Sequence, residues 1–183
     1  MVTITITITM ELTKNQYRSL MKYVLKKCDK FACSLPNFGK MFIDTDLLRG
    51  CEDVSSYMND SFFEYLDDGT AFDEYKKRTI PQLDLIADHL TENYKSVKFG
   101  TNLYDREREI YVYRIDSNLN FDFFEKDGLF SWRYPDSPED LCFYRNGQIY
   151  MEVIAHEQLC FFDCAEEELS AFLDELGVSY ILE

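Results

Sequence analysis

The chain has 183 residues, with 19 Lys/Arg against 34 Asp/Glu, so its formal net charge is -15. An apolar content of 46%, with 16% aromatic, excludes a disordered chain, and no apolar run approaches the ~18 residues that would span a bilayer. The charge is uneven: residues 1–50 hold eight basic and four acidic residues, whereas residues 51–183 hold eleven and thirty. Such a body repels phosphate backbones and anionic membranes and steers cationic proteins toward itself, so the expected partner is a basic protein, not nucleic acid or membrane.

Val2, Ile4, Ile6, Ile8 and Met10 alternate with Thr3, Thr5, Thr7 and Thr9, which predicts a half-buried first strand. The same stretch has no basic n-region and no continuous apolar core, so it does not read as a signal peptide, and the expected location is cytoplasmic. Thr13 and Gln16 form a capping box for a helix with Tyr17, Leu20, Met21, Val24, Leu25 and Cys28 on one face. Lys14, Arg18, Lys22, Lys26 and Lys30 form the opposite, solvated face. Residues 31–80 carry no legible period, and the aromatic stretch Phe62, Phe63, Tyr65 and Leu66 fits a helix or a strand equally well. Pro81 is expected to open a second helix, with Leu83, Ile86, Ala87, Leu90 and Tyr94 on one face and His89 at its surface edge.

From about residue 107 the period returns to two. Strands are expected at 109–115, at 121–125 and 129–133 joined by Asp127-Gly128, and at 140–145 and 148–155 joined by Asn146-Gly147. A last strand at 158–162 leads through an Asp163–Glu166 capping box into a helix through Leu169, Phe172, Leu173 and Leu176, closed by Gly177, with a short edge strand at 178–182. The sum is an α+β fold: an antiparallel sheet with helices packed on it, two layers in a single domain spanning 1–183. Residues 1–100 form its strand-plus-helical part, and 101–183 its meander and C-terminal helix.

Six cysteines, Cys28, Cys33, Cys51, Cys142, Cys160 and Cys164, include no Cys-x-x-Cys pair, and those in apolar runs read as buried reduced thiols. The sharpest metal candidate is His156 with Cys160 and Cys164. With two histidines, no glycine-rich phosphate loop and no nucleophile elbow, catalysis is the minority reading. Its candidates are His156 beside Glu157 as an acid/base pair and Cys142 with His156 as a nucleophile pair. No cofactor is expected.

The stretch Leu129-Phe130-Ser131-Trp132, then Pro138-Glu139-Asp140-Leu141-Cys142-Phe143, Arg145, Gly147 and Ile154-Ala155-His156-Glu157, resembles a run in small acidic proteins of spore-forming Gram-positive bacteria. Some of these carry the label stage III sporulation protein AH. The likeness covers about a third of the chain, implies no known reaction and transfers no catalytic residue.

The expected function is that of a binding module that captures a basic protein, as immunity proteins and antitoxins do, with its many Tyr and Phe supplying interface anchors. The alternative is a small enzyme or metal-binding protein centred on His156 and Glu157 with the nearby cysteines. A third reading is a homodimer through the threonine-rich first strand.

Overall fold

Ile6 and Ile8 of the alternating first segment are fully buried, in a strand β1 (Ile6–Ile8). The computed structural model describes residues 5–36, 70–134, 136–163 and 167–182. Met10 lies beyond the strand and is exposed, and Thr7, expected on a solvated face, is buried. Helix α1 (Lys14–Lys27) starts at the Thr13–Gln16 capping box and buries Tyr17, Leu20, Met21 and Val24. It runs into β2 (Lys30–Pro36), whose Phe31, Cys33 and Leu35 continue the core. The aromatic stretch at 62–66 lies outside the described residues, as do Cys51 and Cys164.

Helix α2 (Thr70–Asp84) holds Pro81 near its end, not in its first turn. A proline there forgoes one main-chain bond to the residue four back, which costs least close to a terminus. The expected continuation of this helix through Leu90 and Tyr94 is not formed. A 3-10 turn at Ala87–His89 leads instead into β3 (Leu90–Phe99), where Thr91 Oγ1 and Asn93 Nδ2 donate to the carbonyls of Val112 and Ile110 on the next strand. Pairing across the hairpin overrides the local helical period. His89 is buried, not at the surface. Strand β4 (Asn102–Arg114) follows a turn at Gly100 and starts well before residue 109.

Asp127-Gly128 joins no hairpin. Its flanks are 3-10 turns, Phe121–Phe124 and Leu129–Ser131. Gly128 is needed for close approach: a Cβ there would overlap the Glu11 carboxylate, which accepts from the main-chain N–H groups of Leu129 (2.6 Å) and Phe130 (3.1 Å). The loop so pinned drives Phe123, Phe124, Phe130 and Trp132 into the core, where Trp132 Nε1 donates to Tyr17 Oη (3.0 Å) and Tyr17 donates to the Phe124 carbonyl (2.9 Å). Each buried aromatic contributes ~2–3 kcal/mol.

The remaining elements follow the sequence pattern. Strands β5 (Glu139–Arg145) and β6 (Gln148–Ile154) meet at Asn146 and Gly147, both with positive φ, as a two-residue hairpin of the primed kind requires. Strand β7 (Leu159–Phe162) precedes helix α3 (Glu167–Glu175). Gly177, at φ 66°, closes α3: the N–H of Gly177 donates to Asp174 and that of Val178 to Leu173, a complete Schellman motif with Val178 and Leu173 both buried. Glu166, the expected partner of the Asp163 cap, lies outside the described residues. β8 (Ile181–Leu182) is an edge strand.

The eight described strands form one open antiparallel sheet in the order β3-β4-β2-β5-β6-β7-β1-β8, with the main core beneath α1, α2 and α3. The fold is α+β, with helices on a sheet. Strand β1 is flanked by β7 and β8, so neither of its edges is open. On the opposite, back face, register aligns Thr7, Phe161, Glu152, Cys142, Ala32, Val112 and Glu92 in one row across seven strands. A smaller cluster of Ala32, Phe99, Ile110, Val112 and Cys142 covers the middle of that face.

Candidate functional site

The residues singled out in the sequence are placed on different layers. Cys142 sits in the back-face row, and Cys160 points to the helix side of β7; both are buried, and burial pushes both thiols up, away from the thiolate that a nucleophile or metal ligand needs. His156 and Glu157 lie in a 3-10 turn (Ala155–Glu157) between β6 and β7, with half-exposed side chains and His156 Nε2 3.6 Å from Glu157 Oε1. Among the described residues, no group of three or more His, Cys, Asp or Glu converges to hold a metal ion.

What the turn does touch is Asp140. This residue is 1% exposed and adopts φ 55°, a left-handed conformation that costs a non-glycine residue energy unless its surroundings hold it. Asp140 Oδ1 accepts from the Ala155 N–H (2.8 Å), Oδ2 accepts from Tyr104 Oη (2.9 Å), and its own N–H donates to the Trp132 carbonyl (3.1 Å). Arg108, also buried, stacks its guanidinium over the Tyr104 ring (4.1 Å to the centroid), hydrogen-bonds Glu139 and lies 3.7 Å from Asp140 Oδ2. His156 Nδ1 stands 4.0 Å from Asp140 Oδ1, outside hydrogen-bond reach.

Burial drives the Asp140 carboxyl up to about 6, against the pull of the Ala155 N–H and Arg108. The Pro138–Phe143 and Ala155–Glu157 pieces are thus joined through one buried carboxylate, which ties β5 to the β6–β7 turn. The fold's own donors take up its lone pairs and the Arg108 cation stands beside it, so its geometry is that of a joint between strands.

A second buried carboxylate lies on the back face. Glu152 is 2% exposed and is capped by the tip of the β3–β4 hairpin: Thr101 N–H donates to both oxygens (3.1 and 3.0 Å), Thr101 Oγ1 donates to Oε2 (2.7 Å), and Asn102 Nδ2 donates to Oε1 (3.0 Å). Gly100, at φ 59°, is the residue that permits this, because a Cβ there would overlap the carboxylate. Beside Glu152 opens a cavity of about 350 Å³, lined by Thr5, Thr101, Ile149, Glu152, Phe161 and Asp163.

No protein-family model matches this sequence, and no curated protein or solved structure matches it either. The likeness to the sporulation-labelled group therefore rests on its motifs alone, and the chemistry must be read from the chain itself.

Charge separates across the molecule. Two members of the basic stripe of α1 are answered within the chain, Lys14 by Asp127 (3.1 Å) and Arg18 by Glu125 (2.9 Å), and Lys27, beside the stripe, pairs with Glu168 of α3 (2.7 Å). Lys30, at the start of β2, lies 3.7 Å from Glu92. From Asn146 to Glu183, by contrast, there are nine Asp/Glu and no Lys or Arg. These residues supply β6, β7, α3 and β8, so one end of the sheet and the helix on it are purely acidic. Sequence reasoning missed Arg108, Tyr104 and Glu152, whose roles depend on strand register; the one local signal for Glu152 is a charged residue between Met151 and Val153 in an otherwise apolar strand.

Proposed function

We propose that the chain is a binding module that captures a basic protein partner with its acidic end, β6–β8 and α3, in the manner of immunity proteins and antitoxins. The observation that carries this reading is the segment from Asn146 onward, which lacks Lys and Arg, while Lys14 and Arg18 of α1 pair with acids outside it and Lys27 answers Glu168 of α3. Glu167, Asp174 and Glu175 project from α3 with no basic residue on that helix to answer them. A field of one sign over one face accelerates association with an oppositely charged protein and discourages other partners. Exposed Ile181 and Leu182 on the adjoining edge strand add the apolar contact that charge alone does not supply.

The test is affinity capture from native lysate at low and at high salt, run in parallel with a variant carrying Glu167→Gln, Asp174→Asn and Glu175→Gln. Retention of a specific basic protein by the native chain at low salt, lost at high salt and in the variant, supports the reading. Equal retention by both chains, or none, refutes it and leaves the acidity as a solubility feature.

A further inference from the structure

We infer that the back-face cavity between β6, β7 and the β3–β4 hairpin tip receives one guanidinium or ammonium side chain of the basic partner. This rests on the proposed binding role and names its anchor point. The cavity, at about 350 Å³, lies at the small end of ligand pockets (~300–1,000 Å³), a size that suits a single long side chain.

Its walls match such a side chain part by part. Glu152 forms the floor. Its carboxyl oxygens accept four hydrogen bonds, all from uncharged donors, and no Lys or Arg among the described residues is bonded to it. A cation brought beside two carboxyl groups at the edge of the interior is attracted more strongly than at the open surface, because less water screens it there. Asp163, exposed at the rim, is placed to meet the cation directly, while Glu152 acts from beneath.

Phe161 lies between Thr7 and Glu152 in the back-face row and presents a half-buried ring to the same space, the surface on which a guanidinium stacks. Ile149 gives an apolar wall for a methylene stem, and Thr5 and Thr101 contribute hydroxyls. A metal ion fits the cavity less well, since among the described residues no three ligating side chains converge there and hard divalent cations take six or more oxygens, several of them from carboxylates.

The experiment is an NMR titration of the full chain with N-butylguanidinium chloride at constant ionic strength, with butanol as the neutral control. The native chain is compared with Asp163→Asn and Phe161→Leu, chosen because Glu152 substitutions also release the hairpin tip. The expected result is saturable shifts centred on Thr101, Ile149, Phe161 and Asp163, about tenfold weaker binding in each variant, and no response to butanol. Diffuse shifts over the α3 carboxylates, unchanged in both variants, overturn the pocket while leaving acidic capture standing if the native chain still retains a basic protein at low salt. If neither the guanidinium nor a basic protein binds, both readings fail together.

Discussion

Asp140→Asn isolates the buried joint between β5 and the β6–β7 turn. Asparagine tolerates the left-handed backbone at φ 55° and can still accept from the Ala155 N–H, so the substitution removes the charge with little change of shape. In the native fold burial raises this carboxyl to about 6, against ~3.9 in an unfolded chain. The native state therefore binds the proton more tightly than the unfolded state, and stability rises as pH falls from about 7 toward about 4. A gap of about two pH units corresponds to about 3 kcal/mol as the scale of the whole effect.

Glu109 acts in the opposite sense: burial opposes its ionisation, but the hydrogen bonds from Lys76 and Tyr111 prevail and hold it below the usual range. Its contribution is lost as pH falls, but it is present in both proteins and cancels in the comparison. Urea unfolding at pH 7 and pH 5 is the assay. The native chain should gain stability relative to Asp140→Asn on going to pH 5, by on the order of 1–2 kcal/mol. A difference between the two proteins that does not vary with pH would refute the placement of an ionising, desolvated carboxyl at this joint.

Gly100→Ala forces a side chain into the Glu152 carboxylate and a positive φ on alanine, so thermal denaturation should show a loss of roughly 1–3 kcal/mol; an unchanged melting temperature would contradict the capped geometry. Glu11→Ala leaves the Leu129 and Phe130 N–H groups without their acceptor, for an expected cost of about 1–3 kcal/mol in chemical denaturation, with near-neutral behaviour as the contrary result. Cys33, Cys142 and Cys160 are buried free thiols, and an aromatic disulfide reagent should modify them only on unfolding; rapid modification of Cys142 in the native protein would restore the nucleophile reading.

Features encoded over a few residues were legible in the sequence. The Thr13–Gln16 box, the Asn146-Gly147 hairpin and the Gly177 helix end each depend on neighbours within one turn, and each forms as read. Those that failed depend on distant partners. Gly128 reads as a hairpin glycine, yet its role is to admit Glu11, more than a hundred residues away in sequence. The stretch from Leu90 to Tyr94 matches a helical period, yet β4 recruits it as a strand.

The same division holds at the site. Ala155-His156-Glu157 and Pro138–Phe143 stood out as pieces, but nothing local reveals that Asp140 joins them or that Arg108 and Tyr104 complete the cluster. Glu152 became meaningful only once the hairpin tip at Gly100 was seen to fold over it.

Under the proposed reading, capture of the partner by the acidic end is electrostatic. The most direct measurement is the association rate constant of the captured basic partner against ionic strength, for the native chain and the variant carrying Glu167→Gln, Asp174→Asn and Glu175→Gln. Electrostatic capture predicts a steep fall with salt for the native chain and a lower, flatter dependence for the variant, with dissociation rates little changed. Identical association rates and salt slopes in the two proteins would contradict it.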